Sequence, residues 1–312
     1  MTQPPPDRLI LRRDAVGQGW TDDELARLVR AGAWTRLGRG AYVEGGLPGD
    51  AGARHRLLVR ATLARLGTAA VVSHQSAAVL HGLPLWGARL GEVHVTRQPP
   101  AWNDSRGRLR VHVARLRDDE VTVIDGSPVT SPVRTALDLA RALPFEAAVV
   151  VLDAALHRRQ IGHEQLTERL FDIAGTRGSR AAARAVRFAD ARSESVGESR
   201  SRVLPHRLQL APSALQFEVL TGEGLFLGRT DFAWEEQRVL GEFDGRVKYG
   251  RLLRPGQEPG DVVFDEKRRE DALRAEDWSV VRWTWADIES PGRLSRWLQR
   301  ALGRSHRPTT HR

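Results

Sequence analysis

Asp231, Glu242 and Asp244 stand inside two runs, "GRTDFAW" and "RVLGEFDG", that otherwise read as buried strand. Strand side chains alternate, so Glu242 and Asp244 share one face while Val239, Gly241 and Phe243 take the other. On the neighbouring run Asp231 goes with Ala233, and Phe232 with Trp234. A hairpin paired in register therefore predicts three carboxylates at one end of a sheet. Like charges at ~4 Å in a partly dry site repel strongly unless a cation sits among them. Oxygen-only ligands at this density suit Mg²⁺ or Mn²⁺. Asp244 precedes Gly245 and also reads as a turn former, and Asp231 as the partner of a sheet-edge arginine. Of the 48 Lys and Arg residues only Lys248 and Lys267 are lysine, and both follow Glu242. An ammonium can orient a water or stabilise developing phosphate charge in ways a guanidinium cannot. The loop "GRVKYGRLLRPGQEPGD" adds Arg246, Arg251 and Arg254. Acids for a metal and bases for a phosphate backbone together suit phosphodiester hydrolysis.

The remaining chain must position these groups. Its 312 residues allow two or three folded units, and 41% hydrophobic with 28% charged residues is a soluble globular composition. No run approaches the ~20 apolar residues of a membrane span. "MTQPPPDRLILRR" lacks a signal-peptide core, so a cytoplasmic location is expected. Cysteine is absent, which removes disulfides, thiol nucleophiles and thiolate zinc sites. Any metal must be held by oxygen or histidine. A formal charge of +9 favours an anionic partner, nucleic acid before membrane, with a general arginine bias as the alternative.

The chain reads as an α+β multidomain protein of the broad α/β class. Residues 1–46 have the outline of a winged helix. Thr21 and Glu24 form a capping box for a helix closed by Gly32, and Trp34 to Val43 make a hairpin turning at Gly38 to Gly40. Arg27 and Arg30 on the helix, with Arg36 and Arg39 on the hairpin, are the candidate DNA contacts, although Asp22 and Asp23 would repel phosphate. Residues 47–190 form a mixed α/β middle region. It has a helix in "VVSHQSAAVLHGL" capped at Ser73, strands in "EVHVTR" and "RLRVHVARL", and a helix opened by Ser131 and Pro132. His74, His81, His94 and His112 lack zinc-motif spacing and read as structural histidines. Residues 191–302 begin with a helix whose Ser195 and Glu198 fit a second capping box, with Pro205 marking a kink or early end. Three strands, a helix and a strand "WSVVRWTW" follow, giving a mixed sheet flanked by helices, and residues 303–312 are a basic tail.

This last third resembles the PD-(D/E)XK (restriction-endonuclease-like) nuclease superfamily, near its very short patch repair endonuclease-like branch. The matching features are the helix glutamate Glu198, the "DF" strand of Asp231, the "ExDG" strand of Glu242, Asp244 and Gly245, and the later "EKRREDALRAEDWSVVRWTW". The resemblance implies that Asp231 and Glu242 ligate Mg²⁺ with Glu198 or Asp244 completing the shell, while Lys248 positions the attacking water. The superfamily's usual lysine position is Asp244 here, so activity depends on Lys248 or Lys267 supplying the ammonium from elsewhere, or it has been lost. The front and middle resemble the AbiEi-type antitoxin and transcriptional regulator group, through the winged helix and the segments "SHQSAAVLHGL" and "DGSPVTSPVRTALDLA". That resemblance implies operator binding and a toxin partner. The competing expectation is a non-catalytic regulator using the same folds to bind DNA or a toxin.

Overall fold

The computed structural model describes residues 9–66, 70–101, 104–245 and 259–304. The chain divides into two compact units, Met1–Val151 with Gln160–Arg187, and Leu152–Arg159 with Phe188–Arg312. Among the described residues there are twelve α-helices and three sheets, each mixed or antiparallel.

The first unit opens with β1 (Leu9–Leu11), α1 (Arg12–Gly17), α2 (Asp22–Arg30), β2 (Trp34–Gly38) and β3 (Ala41–Glu44). The predicted box forms at α2, where Glu24 N donates to Thr21 Oγ1 at 3.3 Å and Thr21 N to Glu24 Oε2 at 2.8 Å. Two orphan amides at the helix start are thereby satisfied. Gly32 ends that helix with a φ of +71°, a conformation side-chain-bearing residues avoid. The three strands pair antiparallel in the order β1-β3-β2.

The chain continues through α3 (Ala51–Leu66), β4 (Val71–Val72), α4 (His74–Leu80), β5 (Val93–Arg97), β6 (Asp104–Arg106), β7 (Leu109–Val113), β8 (Val121–Ile124) and β9 (Ser127–Thr130). Helices α5 (Pro132–Ala142), α6 (Phe145–His157), α7 (His163–Asp172) and α8 (Ser179–Phe188) follow. The middle sheet has six strands in the order β6-β7-β5-β4-β9-β8, with β5–β7 and β4–β9 parallel. Leu37, Ala41 and Val43 of the front sheet share one buried cluster with Leu57, Leu58, Val72, Val93 and Val95.

The second unit contains α9 (Val196–Arg207), β10 (Ala214–Leu220), β11 (Phe226–Trp234), β12 (Val239–Asp244), α10 (Pro259–Ala275), β13 (Ser279–Thr284), α11 (Trp285–Ile288) and α12 (Pro291–Arg304). Pro205 falls in the last turn of α9, which runs on to Arg207. Its sheet order is β10-β11-β12-β13, antiparallel except for the parallel pair β12–β13. Both faces are covered. Phe232, Trp234, Val239, Phe243 and Trp283 pack with Leu294 and Leu298, while Ala233 and Leu240 pack with Leu273 and Trp278. Burial on both sides explains why these strands are almost continuously apolar, and why the acids interrupting them stand out.

Candidate functional site

On α2 and the front hairpin, Arg27, Arg30, Arg36 and Arg39 are all exposed. Among the described residues no ion pair engages any of them. Arg36 and Arg39 border a groove of about 580 Å³ with Arg12, Arg13, Tyr42 and Arg65. Asp22, one of the two residues expected to repel phosphate, is held by Arg12 through bonds of 2.7 and 2.5 Å. The guanidinium keeps that carboxyl below its ordinary range by hydrogen bonding. Its charge is therefore matched locally, while Asp23 stays exposed beside it.

In the second unit, Phe232 pairs with Gly241, and one further step along that register sets Asp231 beside Glu242. Asp231 Oδ2 accepts from Phe243 N at 2.7 Å. Glu242 is held from both sides, Oε1 by Arg269 Nη2 at 2.7 Å and Oε2 by Arg282 Nε at 2.8 Å. Arg282 also donates to Glu270 Oε2 at 2.8 Å, which lowers the Glu270 pKa. Glu198 accepts from Ser195 Oγ at 2.7 Å and from Glu194 N at 2.9 Å, a variant of the expected capping box. Asp244 lies half-buried at the end of β12. Lys267 is exposed on α10. Lys248, Arg246, Arg251 and Arg254 lie outside the described residues.

The sequence "LQFEV" does not single out Gln216 as a partner of the helix glutamate. It skips the β10–β11 ladder, between the pairs Leu215 with Phe232 and Phe217 with Thr230, and takes a φ of +51°. That left-handed backbone is strained in a residue bearing a side chain. Gln216 Nε2 donates to Glu198 Oε2 at 2.9 Å, linking the helix glutamate to the strand opposite Asp231.

Asp231, Glu242 and Glu198 are fitted by donors of the protein itself. Among the described residues, the set that converges as three metal-type ligands is His74, His94 and His112, whose ligand atoms lie within 4.8 Å of one another. The spacing reads His74, His81, His94 and His112 as structural histidines, and the fold brings three of them together. Spacing rules detect ligands on one local motif, whereas here β5 and β7 pair in parallel with Thr96 beside His112, placing His94 diagonally next to it. Backbone pairing of Ser73 N with His94 O at 3.0 Å then brings in His74 at the start of α4. His94 Nδ1 lies 3.0 Å from His112 Nε2, and the His74 and His112 rings stack at 3.7 Å. Burial and the neighbouring imidazole and Arg110 push His94 down to about 4, and burial and Arg110 push His112 down to about 4. Burial, then the other two rings, holds His74 well below its ordinary value. His81 is separate and meets Thr130 O at 2.8 Å.

Among the described residues no helix is long and apolar enough to cross a membrane. In comparisons with known proteins, the chain is 30% identical over 183 residues to the uncharacterized protein Rv2248 of Mycobacterium tuberculosis strain H37Rv and, equally, to the uncharacterized protein MT2308 of strain CDC 1551. That alignment takes in 58% of this chain and 64% of each curated relative, so less than two thirds of their length is spanned. The crystal structure of the RV2827C protein from Mycobacterium tuberculosis aligns with a TM-score of 0.40 and 15% identity, covering 68% of this chain and 78% of that one. Residues 68–188 match the family described as the AbiEi antitoxin C-terminal domain.

Proposed function

We propose that this chain is a DNA-binding regulator of the antitoxin type. Its front helix and hairpin grip operator DNA, and a cognate toxin protein is its partner. The observation that carries this reading is the match of residues 68–188 to the antitoxin domain. The four exposed arginines preceding that domain supply the DNA side. Phosphate contacts of this kind position a protein on the duplex and set the salt dependence of binding. Binding of the purified chain to the DNA upstream of its own gene, measured across a salt series, tests the reading. With Arg36→Ala plus Arg39→Ala the log–log salt slope is expected to fall by about 2, with affinity weakened at every salt. An unchanged slope would remove the hairpin from the interface.

The second reading is a nuclease unit. It is favoured by the arrangement of α9 before an antiparallel β10-β11-β12 set, with β13 added in parallel after α10 and with Asp231 and Glu242 on adjacent central strands. The donor set fits Mg²⁺ or Mn²⁺ poorly as arranged. Both Glu242 oxygens are taken by guanidinium groups, and Glu198 is committed to Ser195, Glu194 and Gln216. Two cations bound to the acid between them oppose a third. No catalytic step is assigned to Asp231, Glu242, Asp244, Glu198 or Lys248. Incubation of DNA with the chain and Mg²⁺ or Mn²⁺ separates the readings. The regulator reading expects no cleavage by either the parent or Glu242→Ala, with DNA binding retained in both. Metal-dependent cleavage lost on Glu242→Ala would establish the nuclease.

A further inference from the structure

We infer that His74, His94 and His112 form a transition-metal site of the Zn²⁺ class, with an open fourth position facing an arginine-walled cavity. The three ligand atoms lie within 4.8 Å of one another. A metal–nitrogen bond of ~2.1 Å sets tetrahedral ligands ~3.4 Å apart, so the distances close with shifts of about an ångström, together with a turn of the stacked rings that brings their in-plane lone pairs onto one ion. His74 Nδ1 lies 3.0 Å from Ser73 Oγ, which leaves Nε2 as its ligand atom and supplies the outer partner that fixes a metal-bound imidazole. His94 Nδ1 and His112 Nε2 face each other at 3.0 Å. One of these nitrogens carries the shared proton. For both to bind the ion, that proton moves to the other nitrogen of the same ring, a change of tautomer with no net loss of charge.

The backbone at His74 supports a role beyond packing. It takes a φ of +50° at the first residue of α4, an unusual conformation for a non-glycine residue. His74 and His112 line a cavity of about 420 Å³ together with Thr96, Arg134, Asp138, Arg141 and Arg177. The Thr96 hydroxyl is buried there without a hydrogen-bond partner, at 1% residue exposure. An orphaned polar group in such a wall is the kind of feature a bound ligand satisfies. Arg134 is balanced by Asp138 and Glu120, at 2.9 and 3.2 Å. Arg141 shares Asp138 at 3.6 Å, and with Arg177 in the same wall the arginines outnumber the acids that pair with them, which suits an anionic oxygen ligand on the metal's fourth position. Three protein nitrogens plus one open position is the pattern of a reactive rather than a purely structural zinc site. The stacked His74 and His112 rings must turn relative to one another to point at one ion, so loading is expected to separate them.

The test uses the full chain, stripped with chelator and titrated with Co²⁺ alone, followed by visible absorption and by metal analysis after desalting. The parent is expected to retain about one equivalent and to show the intense visible bands of a tetrahedral ion, with His94→Gln and His112→Gln each at least about tenfold weaker. His81→Ala, outside the cluster, is expected to bind as the parent does. Circular dichroism confirms that each variant is folded, and the parent's own spectrum decides the matter if a variant is not. Absence of a tetrahedral spectrum in the parent overturns the site and leaves a hydrogen-bonded stack of imidazoles, as does retention that neither histidine variant reduces. Added inorganic phosphate is expected to shift the Co²⁺ bands; no shift would overturn the open fourth position.

Discussion

Asp153→Ala is expected to lower the unfolding free energy of the second unit by about 3–5 kcal/mol, because it strands a buried guanidinium without its counter-charge. Asp153 is fully buried, and the Arg202 side chain is 7% exposed. Arg202 Nη2 reaches both carboxylate oxygens at 2.9 and 2.8 Å, and Asp190 N donates to Oδ1 at 2.8 Å. Burial raises the Asp153 pKa, with Arg202 opposing that shift. The pair ties the end of α6 to α9, so the loss falls on the helix that carries Glu198. Replacing both partners by apolar residues, Asp153→Leu with Arg202→Met, is expected to recover most of the stability, since neither charge is then left alone in the core. Urea unfolding followed by tryptophan fluorescence reads both variants. A single-variant cost below about 1 kcal/mol would show that water reaches Arg202 and that the pair is not closed.

The parts of the fold legible in the sequence were those with local chemistry. The Thr21 and Glu24 box, the Ser131–Pro132 helix start and the acid-bearing hairpin all follow from residues within a few positions of one another. The middle sheet was harder, because strands as short as Val71–Val72 and Ser127–Thr130 present too few alternations to register as a period. One signal was available there. "VTVIDGSPVT" carries an Asp-Gly pair, and Asp125 and Gly126 take φ of +48° and +71° in the turn between β8 and β9.

The candidate sites divide along the same line. Strand alternation placed Asp231 and Glu242 on adjacent strands, but nothing in the spacing shows that Arg269 and Arg282 close on Glu242 from a helix and a strand far along the chain. Charge count pointed to an external cation, and the fold sets two guanidinium groups of the chain against Glu242. The histidine cluster is the converse case. Its members lie on α4, β5 and β7, and only the parallel β5–β7 register makes them neighbours. A sequence can advertise a residue type, but a constellation across three elements is fixed by tertiary pairing.

Gly197→Ala is expected to destabilise the second unit by about 3 kcal/mol, against the sign that helix propensity gives. Gly197 is the second residue of α9, where alanine would be favoured by up to about 1 kcal/mol if the helix were free. The helix is not free. A Cβ at this position would lie 1.9 Å from Phe243 Cε1 and 2.4 Å from its Cζ, far inside contact distance. The ring has little room to retreat, since Phe243 is 7% exposed and meets Trp285 edge-on at 4.9 Å. Relief must come from lifting the start of α9 off β12, which carries Glu198 away from Gln216 as well. Gly292→Ala is the internal comparison, because a Cβ there meets only the flexible end of Arg296, at 3.6 Å, in the first turn of α12. That variant is expected to be stabilised by up to about 1 kcal/mol through propensity and loss of unfolded-state freedom. Opposite signs at the two glycines identify close helix–sheet approach as the reason for the first, and a neutral Gly197→Ala would mean that α9 sits farther from Phe243 than the contact requires.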